Sequence, residues 1–306
     1  MQVSHVLAVS GVEAGGVSRL YFGRPRFVEH HHGATLQRNV VHYVTIPEFI
    51  FGWPRGTAKA GVMATFHRER SDMHVGILRT DTVRPEWAST HGEYPDMFER
   101  LLSEEATDLR FTTWNVEIGE LPLTVEAADA YLITGSKSSV YDDKAWIRAL
   151  EEFVRALHAN RHKLIGICFG HQLVAQALGG TVAKSPKGWG VGINCYEIDR
   201  SALDLADGGE VCLIASHQDQ VVALPPGARQ IARNDHCEFA GMAIGDHILT
   251  FQGHPEFTPA YSREIMRFRR EMIGESRVVD GLQSLEDRQH EGARVARWML
   301  QFMRRQ

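Results

Sequence analysis

The sequence predicts an α/β protein built on a mainly parallel open sheet with helices on both faces. Two observations carry that expectation. From Met73 onward, short apolar runs alternate with segments whose apolar residues recur every three or four positions, as strand and helix do around a parallel sheet. The apolar runs are also continuous, which suits strands buried on both faces.

"MHVGILRTD" starts at Met73 and ends in polar residues, as a buried parallel strand does. "YPDMFERLL" reads as a helix, "LRFTTWNVEIG" as an extended segment and "AADAYLITG" as a strand. A helix over "KAWIRALEEFVRALHAN" presents Trp146, Leu150, Phe153, Val154 and Leu157 on one face. "KLIGICF" is a strand, and "GHQLVAQALGG" a helix closed by a Gly-Gly pair. "WGVGINCYEI", "EVCLIAS" and "HILTFQGH" supply further strands. The glycines of "GWGVG", Gly188 to Gly192, open a strand rather than a helix, so they read as structural and not as a phosphate loop. From about residue 258 the chain turns helical. Thr258 before Pro259 marks one start, and Ser284 with Asp287 resembles a capping box for the last helix. There Val295, Trp298, Met299 and Phe302 form an apolar stripe suited to core packing or a dimer face.

The composition, 43% hydrophobic and 23% charged, is that of a globular protein. A net charge of −5 with both signs interspersed argues against nucleic-acid binding. No apolar run approaches the ~18 residues of a membrane span, and no secretory signal pattern opens the chain. The four cysteines form no CxxC pair, which disfavours a zinc ribbon or a disulfide framework and suits a cytoplasmic protein; Cys195 and Cys212 read as core. Residues 1–72 differ from the rest, with scattered glycines, the triplet His30 to His32 and little periodicity outside "VVHYVTI". They are expected to be an extension, either a poorly ordered arm or a segment absent from a native chain that starts at Met73. The histidine triplet reads as solvated loop rather than metal site.

Chemistry gathers at Gly166-Ile-Cys168-Phe-Gly170, the cysteine form of the G-x-S-x-G nucleophile elbow. A sharp strand-to-helix turn brings backbone against backbone, which is why its flanking positions are glycine. The turn presents the sulfur at a helix N-terminus, where unpaired N–H groups favour thiolate, and frees the Phe169 N–H for an oxyanion. Alone, the pattern leaves two readings open: a nucleophile, or a small residue in a glycine turn. His171 lies on the same helix, beside the sulfur rather than facing it. His254, at the end of "ILTFQGH", is the better base, and Glu256 stands where it can orient the imidazole.

"GICFGHQL" followed by "HPEF" resembles the class I, triad-type glutamine amidotransferases, and within them the stand-alone GMP-synthase-like members. The resemblance runs from about Met73 to Thr258, so residues 73–306 are expected to be an amidotransferase-like, flavodoxin-like domain with added C-terminal helices. It implies Cys168 as nucleophile, His254 as general base and Glu256 as its partner. "SHQDQV" is similar to the family's glutamine-binding loop, so Gln172, His217, Gln218 and Asp219 are implied in substrate binding. "LITGSKSSVYDDKAWI" is similar to the oxyanion loop, but Gly135-Ser136-Lys137 stands where the family has Gly-Gly-Pro. The second oxyanion donor is then the N–H of Gly135 or of Ser136.

The implied reaction is hydrolysis of the γ-carboxamide of glutamine through a γ-glutamyl thioester, with no metal or redox cofactor. Bifunctional relatives carry an ATP-using synthetase after the glutaminase; the stretch after Glu256 is too short for one, and no G-x-x-x-x-G-K-[ST] loop is present. Ammonia is expected to pass to a separate synthetase subunit or to be released. The alternative is a free-standing γ-glutamyl peptidase acting on γ-glutamyl conjugates. A non-catalytic protein and a redox-sensing cysteine protein are the remaining readings.

Overall fold

In the computed structural model, the described residues are 72–199 and 209–305, together with three short strands near the N-terminus. The chain divides into two compact units, Met1–His67 and Arg68–Gln306. In the first, β1 (Val6–Ala8), β2 (Leu20–Gly23) and β3 (His42–Val44) pair antiparallel in the order β1-β2-β3. The remaining residues up to 71, with the histidine triplet and most of the predicted extension, lie outside the described residues.

The second unit is organised by a nine-stranded sheet. Its first half is parallel: β4 (Met73–Arg79), β5 (Leu109–Asn115), β6 (Ala130–Ile133), β7 (Lys163–Ile167) and β14 (Ile248–Phe251) lie in the order β14-β7-β6-β4-β5. Beyond β14 the sheet continues antiparallel through β13 (Gly241–Ile244), β12 (Ala228–Arg233), β9 (Gly190–Ile198) and β10 (Glu210–His217). A two-stranded ribbon of β8 (Thr181–Lys184) and β11 (Asp219–Ala223) stands apart. The segments read as further strands are present, and four antiparallel pairings extend the parallel sheet that the alternation predicts.

Side chains alternate across the parallel strands, so each strand feeds two cores. Ala130 and Leu132 of β6, with Ile165 and Ile167 of β7, pack against α2 (Tyr94–Glu105) and the last helix, α8 (Gly292–Arg304). Tyr131, Ile133 and Leu164 face the other way, against α3 (Ala145–Ala159) and α4 (Phe169–Ala177). The stripe Val295, Trp298, Met299 and Phe302 is buried against the sheet, which decides for core packing. In α3 the buried face centres on Ile147, Leu150, Val154 and Leu157, while Trp146 and Phe153 pack at its margin. Glu151 is buried in that face because Arg148 Nη1 and Gln176 Nε2 each donate to its Oε1 at 2.7 Å.

Three more helices, α5 (Pro259–Phe268), α6 (Arg270–Ile273) and α7 (Glu275–Asp287), cover β9 and β10; α1 (Pro85–His91) lies near α5. Thr258 caps α5 as expected, its hydroxyl accepting from the Tyr261 N–H at 3.2 Å. Ser284 does not start the last helix. It lies inside α7, where its hydroxyl accepts from the Ile193 N–H at 2.8 Å and donates to the Gly281 carbonyl at 2.6 Å, tying the helix to β9.

The reading of Cys195 and Cys212 as separate core residues is also corrected. They face each other across β9 and β10 and form a disulfide, half-buried at the sheet margin. Alternation along two strands gives no sign of their mutual register, which the fold alone sets.

Candidate active site

The strand directions bring the carboxyl ends of β4, β6, β7, β14 and β10 to one edge of the sheet, and the sequence-predicted residues gather there. Cys168 leaves β7 with φ 52° and ψ −98°, in the left-handed half of backbone space that a β-carbon disfavours. Its N–H donates to the Phe251 carbonyl at 2.9 Å, fixing the elbow to β14. The glycines explain how the turn closes. A Cβ on Gly166 would lie 2.7 Å from the Gly170 carbonyl oxygen, and one on Gly170 2.5 Å from that of Ile133. Phe169 follows as the first residue of α4, where its N–H has no partner within the helix.

His254 meets the cysteine from β14. Its N–H donates to the Ile214 carbonyl at 2.8 Å, and its ring stacks on Phe257 with centroids 3.9 Å apart and planes 8° from parallel. Nδ1 donates to Glu256 Oε1 at 2.8 Å, which leaves the other nitrogen free, and the imidazole and the Cys168 side chain both lie beside Gly135. Both His254 and Glu256 are buried. Burial alone would push the imidazole toward its neutral form. The Glu256 carboxylate and Cys168 outweigh it and hold His254 well above the ordinary imidazole range.

The 134–139 loop faces the elbow. Gly135 stands against both side chains: a Cβ there would lie 2.8 Å from His254 Cε1 and 3.7 Å from Cys168 Cβ. Its carbonyl accepts from the hydroxyls of Thr80 at 3.0 Å and Thr134 at 3.2 Å. Ser136 Oγ donates to the Thr80 carbonyl at 2.9 Å and accepts from the Ser138 N–H at 3.1 Å. The Lys137 N–H donates to Asp81 Oδ2 at 2.7 Å, and its ammonium pairs with Asp81 Oδ1. Burial works against the Lys137 charge, and the Asp81 carboxylate overcomes this, raising the amine above its usual value.

The expected substrate-binding residues form a network behind the cysteine. Gln172 Nε2 donates to the Asp219 carbonyl at 2.8 Å and to Gln252 Oε1 at 3.0 Å. The Asp219 carboxylate accepts from Ser139 Oγ at 2.5 Å and Tyr141 OH at 2.9 Å, which links β11 to the 134–139 loop and the residues after it. His217 Nδ1 donates to the Asp219 carbonyl at 3.1 Å; burial first, and then His236, push its pKa down to about 3, so it is neutral. Gln218 is half-buried in the turn between β10 and β11, where its carbonyl accepts from the Ser185 N–H.

His171 is structural: Nε2 donates to the Phe239 carbonyl at 2.9 Å, so Nδ1 accepts from the Thr250 hydroxyl at 2.7 Å. Burial lowers its pKa to about 4. Cys237 is a buried free thiol, pushed up to about 12 chiefly by burial. Asp81, Thr80 and Gln252 escape sequence reasoning. The one available signal for Asp81 was its place at the polar end of the first buried strand.

A buried cysteine on a strained strand-to-helix turn, beside a histidine bonded to a buried carboxylate, is an arrangement suited to covalent acyl chemistry on an α/β fold. The comparisons narrow this. The profile of the family described as glutamine amidotransferase class-I matches residues 95–270, and the chain belongs to that family. It is 34% identical over 207 residues to a glutamine amidotransferase-like protein of Schizosaccharomyces pombe, covering 61% of this chain and 80% of that one. It is likewise 34% identical over 185 residues to gamma-glutamyl peptidase 4 of Arabidopsis thaliana, covering 58% and 71%. A glutamine amidotransferase structure from Thermotoga maritima superposes with a TM-score of 0.62 at 17% identity, over 76% of this chain and 99% of that one, and shares its fold. No helix among the described residues is long and apolar enough to cross a membrane.

Proposed function

We propose that the protein hydrolyses γ-glutamyl amides by covalent catalysis, with Cys168 as nucleophile, His254 as proton carrier and Glu256 as its orienting partner. The observation that carries this is the buried cluster of Cys168, His254 and Glu256, in which His254 bonds Glu256 at 2.8 Å and shares the Gly135 contact with Cys168. With its pKa raised, His254 holds the proton at neutral pH, and in this scheme the attacking form of Cys168 is the thiolate. The sulfur attacks the γ-carbonyl carbon, and the oxygen takes the negative charge.

Two N–H groups serve that oxygen, the first from Phe169. Because the Gly135 carbonyl is turned toward Thr80 and Thr134, the Ser136 N–H of the same trans peptide points the opposite way, which favours Ser136 over Gly135 as the second donor. The C–N bond breaks as His254 gives its proton to the leaving nitrogen, leaving a γ-glutamyl thioester. His254 then takes a proton from water, hydroxide attacks the thioester, and glutamate leaves with the thiolate restored.

Glutamine, releasing ammonia to solvent or to a separate synthetase subunit, is the simplest substrate. Cleavage of γ-glutamyl peptides is favoured by the resemblance to four gamma-glutamyl peptidases of Arabidopsis thaliana. Gln172, His217, Gln218 and Asp219 hold the γ-glutamyl end on this reading. The test is release of glutamate from glutamine and from γ-glutamyl dipeptides, with adduct mapping by a glutamine-analogue electrophile. No turnover and no adduct on Cys168 would leave the non-catalytic or redox-sensing readings. We further propose that residues 73–306 form the catalytic domain; a chain starting at Met73 should keep its turnover, measured by the same assay.

A further inference from the structure

One cation at the carboxyl edge is unused by this chemistry. Arg269, at the junction of α5 and α6, is half-buried, with Nη1 3.4 Å from Ser216 Oγ near the end of β10. Its guanidinium stands over Trp189, 5.7 Å from the ring centroid. Other cations near the 134–139 loop have carboxylates: Lys137 with Asp81, Lys144 with Asp142, Arg79 with Glu93. Among the described residues no carboxylate lies within ion-pair distance of Arg269.

A half-buried guanidinium answered only by a long hydroxyl contact keeps most of its five donors for something else. Its place relative to the reacting atoms follows from its neighbours. Its partner Ser216 lies two residues beyond Ile214, whose carbonyl holds the His254 N–H, and its charge is felt at Lys137, Tyr94 and Tyr261. Both tyrosines pack against Phe257, and Phe257 stacks on His254. Lys137 follows directly on Gly135 and Ser136; its ammonium is tied to Asp81, yet the side chain is 59% exposed and two donors remain. Arg269 and Lys137 repel each other, and the buried Asp81 carboxylate pairs with Lys137.

We propose that Arg269, assisted by Lys137, binds a carboxylate of the substrate beyond the scissile amide. This rests on the γ-glutamyl amide reading and names its substrate class: γ-glutamyl peptides whose leaving amine is an amino acid or short peptide with a free carboxylate. Free glutamine, whose leaving group is ammonia, cannot use this subsite. Trp189 holds the guanidinium by one face, so that its edge is free for two parallel N–H···O bonds to a carboxylate. The γ-glutamyl group's own α-carboxylate offers the same chemistry from the other side of the amide, and the experiment separates the two.

The test compares kcat/KM for γ-glutamylglycine and for γ-glutamyl methylamide, which differ in the leaving-group carboxylate. The full-length protein should prefer γ-glutamylglycine by about tenfold to a hundredfold, the effect of a charge-assisted pair. In Arg269→Gln that ratio should collapse to within about threefold, Arg269→Lys should keep part of it, and Lys137→Met should lower it less. Circular dichroism checks that each variant is folded. Hydrolysis of both amides with no preference, or an Arg269→Gln loss that falls equally on both, overturns the subsite while leaving the hydrolase reading intact. Hydrolysis of neither overturns both.

Discussion

Two loops face each other across Cys168 and hold their shapes by different means. The elbow is local. Gly166 and Gly170 lie four residues apart, and their missing β-carbons let strand, turn and helix press together. The 134–139 loop is held from a distance. It lacks the Gly-Pro pair expected of its family, and its order comes from Thr80 and Asp81, more than fifty residues earlier in the chain. A close approach of backbone is written where it happens, in glycine. A loop held by another strand's side chains carries no such mark.

The largest expected effect is on the elbow. Cys168→Ala should lower amide hydrolysis by on the order of 10⁴-fold or more, read as glutamate release, with an unchanged circular dichroism spectrum. Turnover near the parent rate would remove the nucleophile from the scheme.

Glu256→Gln comes next, because it separates the histidine's charge from its position. Burial disfavours the imidazolium and Glu256 restores it, so the variant should have a lower His254 pKa. The alkaline limb of kcat/KM should move to lower pH, and kcat should fall by about 10²- to 10⁴-fold. The stability effect has a definite sign. A folded-state pKa above the unfolded imidazole value contributes stability that is complete below the unfolded pKa and is lost as pH rises through the folded one. The parent should therefore lose more stability than the variant on going from pH 6 into the alkaline range, measured by denaturant titration. An unshifted pH profile would mean that Glu256 does not set the proton affinity of His254.

Glycines on the two sides should fail differently. Gly135→Ala places a methyl 2.8 Å from His254 Cε1, and the ring is backed by Phe257 and cannot retreat freely. Its main cost should be in kcat, about 10²-fold, through misplacement of the base. Gly170→Ala instead meets the Ile133 backbone and should cost about 1–3 kcal/mol of stability. If both variants lost only stability, the two loops would not differ in the way described.

How much of this was legible follows the same division. The parallel strands, the helices and the pairing of "GICFGHQL" with "HPEF" could be read because periodicity, glycine and a short motif are local signals. Of the antiparallel half, β9 and β10 were read as strands, while β12 and β13 were not read. The Cys195–Cys212 pairing depends on the register of β9 against β10, and the sequence does not contain it. Ser284 misled because a serine with an acid three residues on reads as a cap, whereas here its hydroxyl serves β9 from inside α7. Asp81 was missed for a related reason: an aspartate ending a strand is common, and only the fold shows that it is buried with Lys137 upon it.

The smallest expected effects test whether distance holding matters. Asp81→Asn keeps one acceptor for a backbone N–H but sets an amide NH₂ where the carboxylate met a second donor and removes the partner of the Lys137 charge. Leaving buried donors unmatched should cost about 1–3 kcal/mol. If Asp81 positions the loop, kcat should also fall, by about tenfold, with KM changed less, since the Ser136 N–H is needed most as the oxyanion forms. Ser136→Ala removes only the bonds to the Thr80 carbonyl and the Ser138 N–H and keeps the backbone donor itself. It should cost about 1 kcal/mol and change kcat only a few-fold. A stability loss in Asp81→Asn without a fall in kcat would make that carboxylate part of the fold's support alone. A fall in kcat for Ser136→Ala as large as for Asp81→Asn would instead move the control of the loop from β4 into the loop itself.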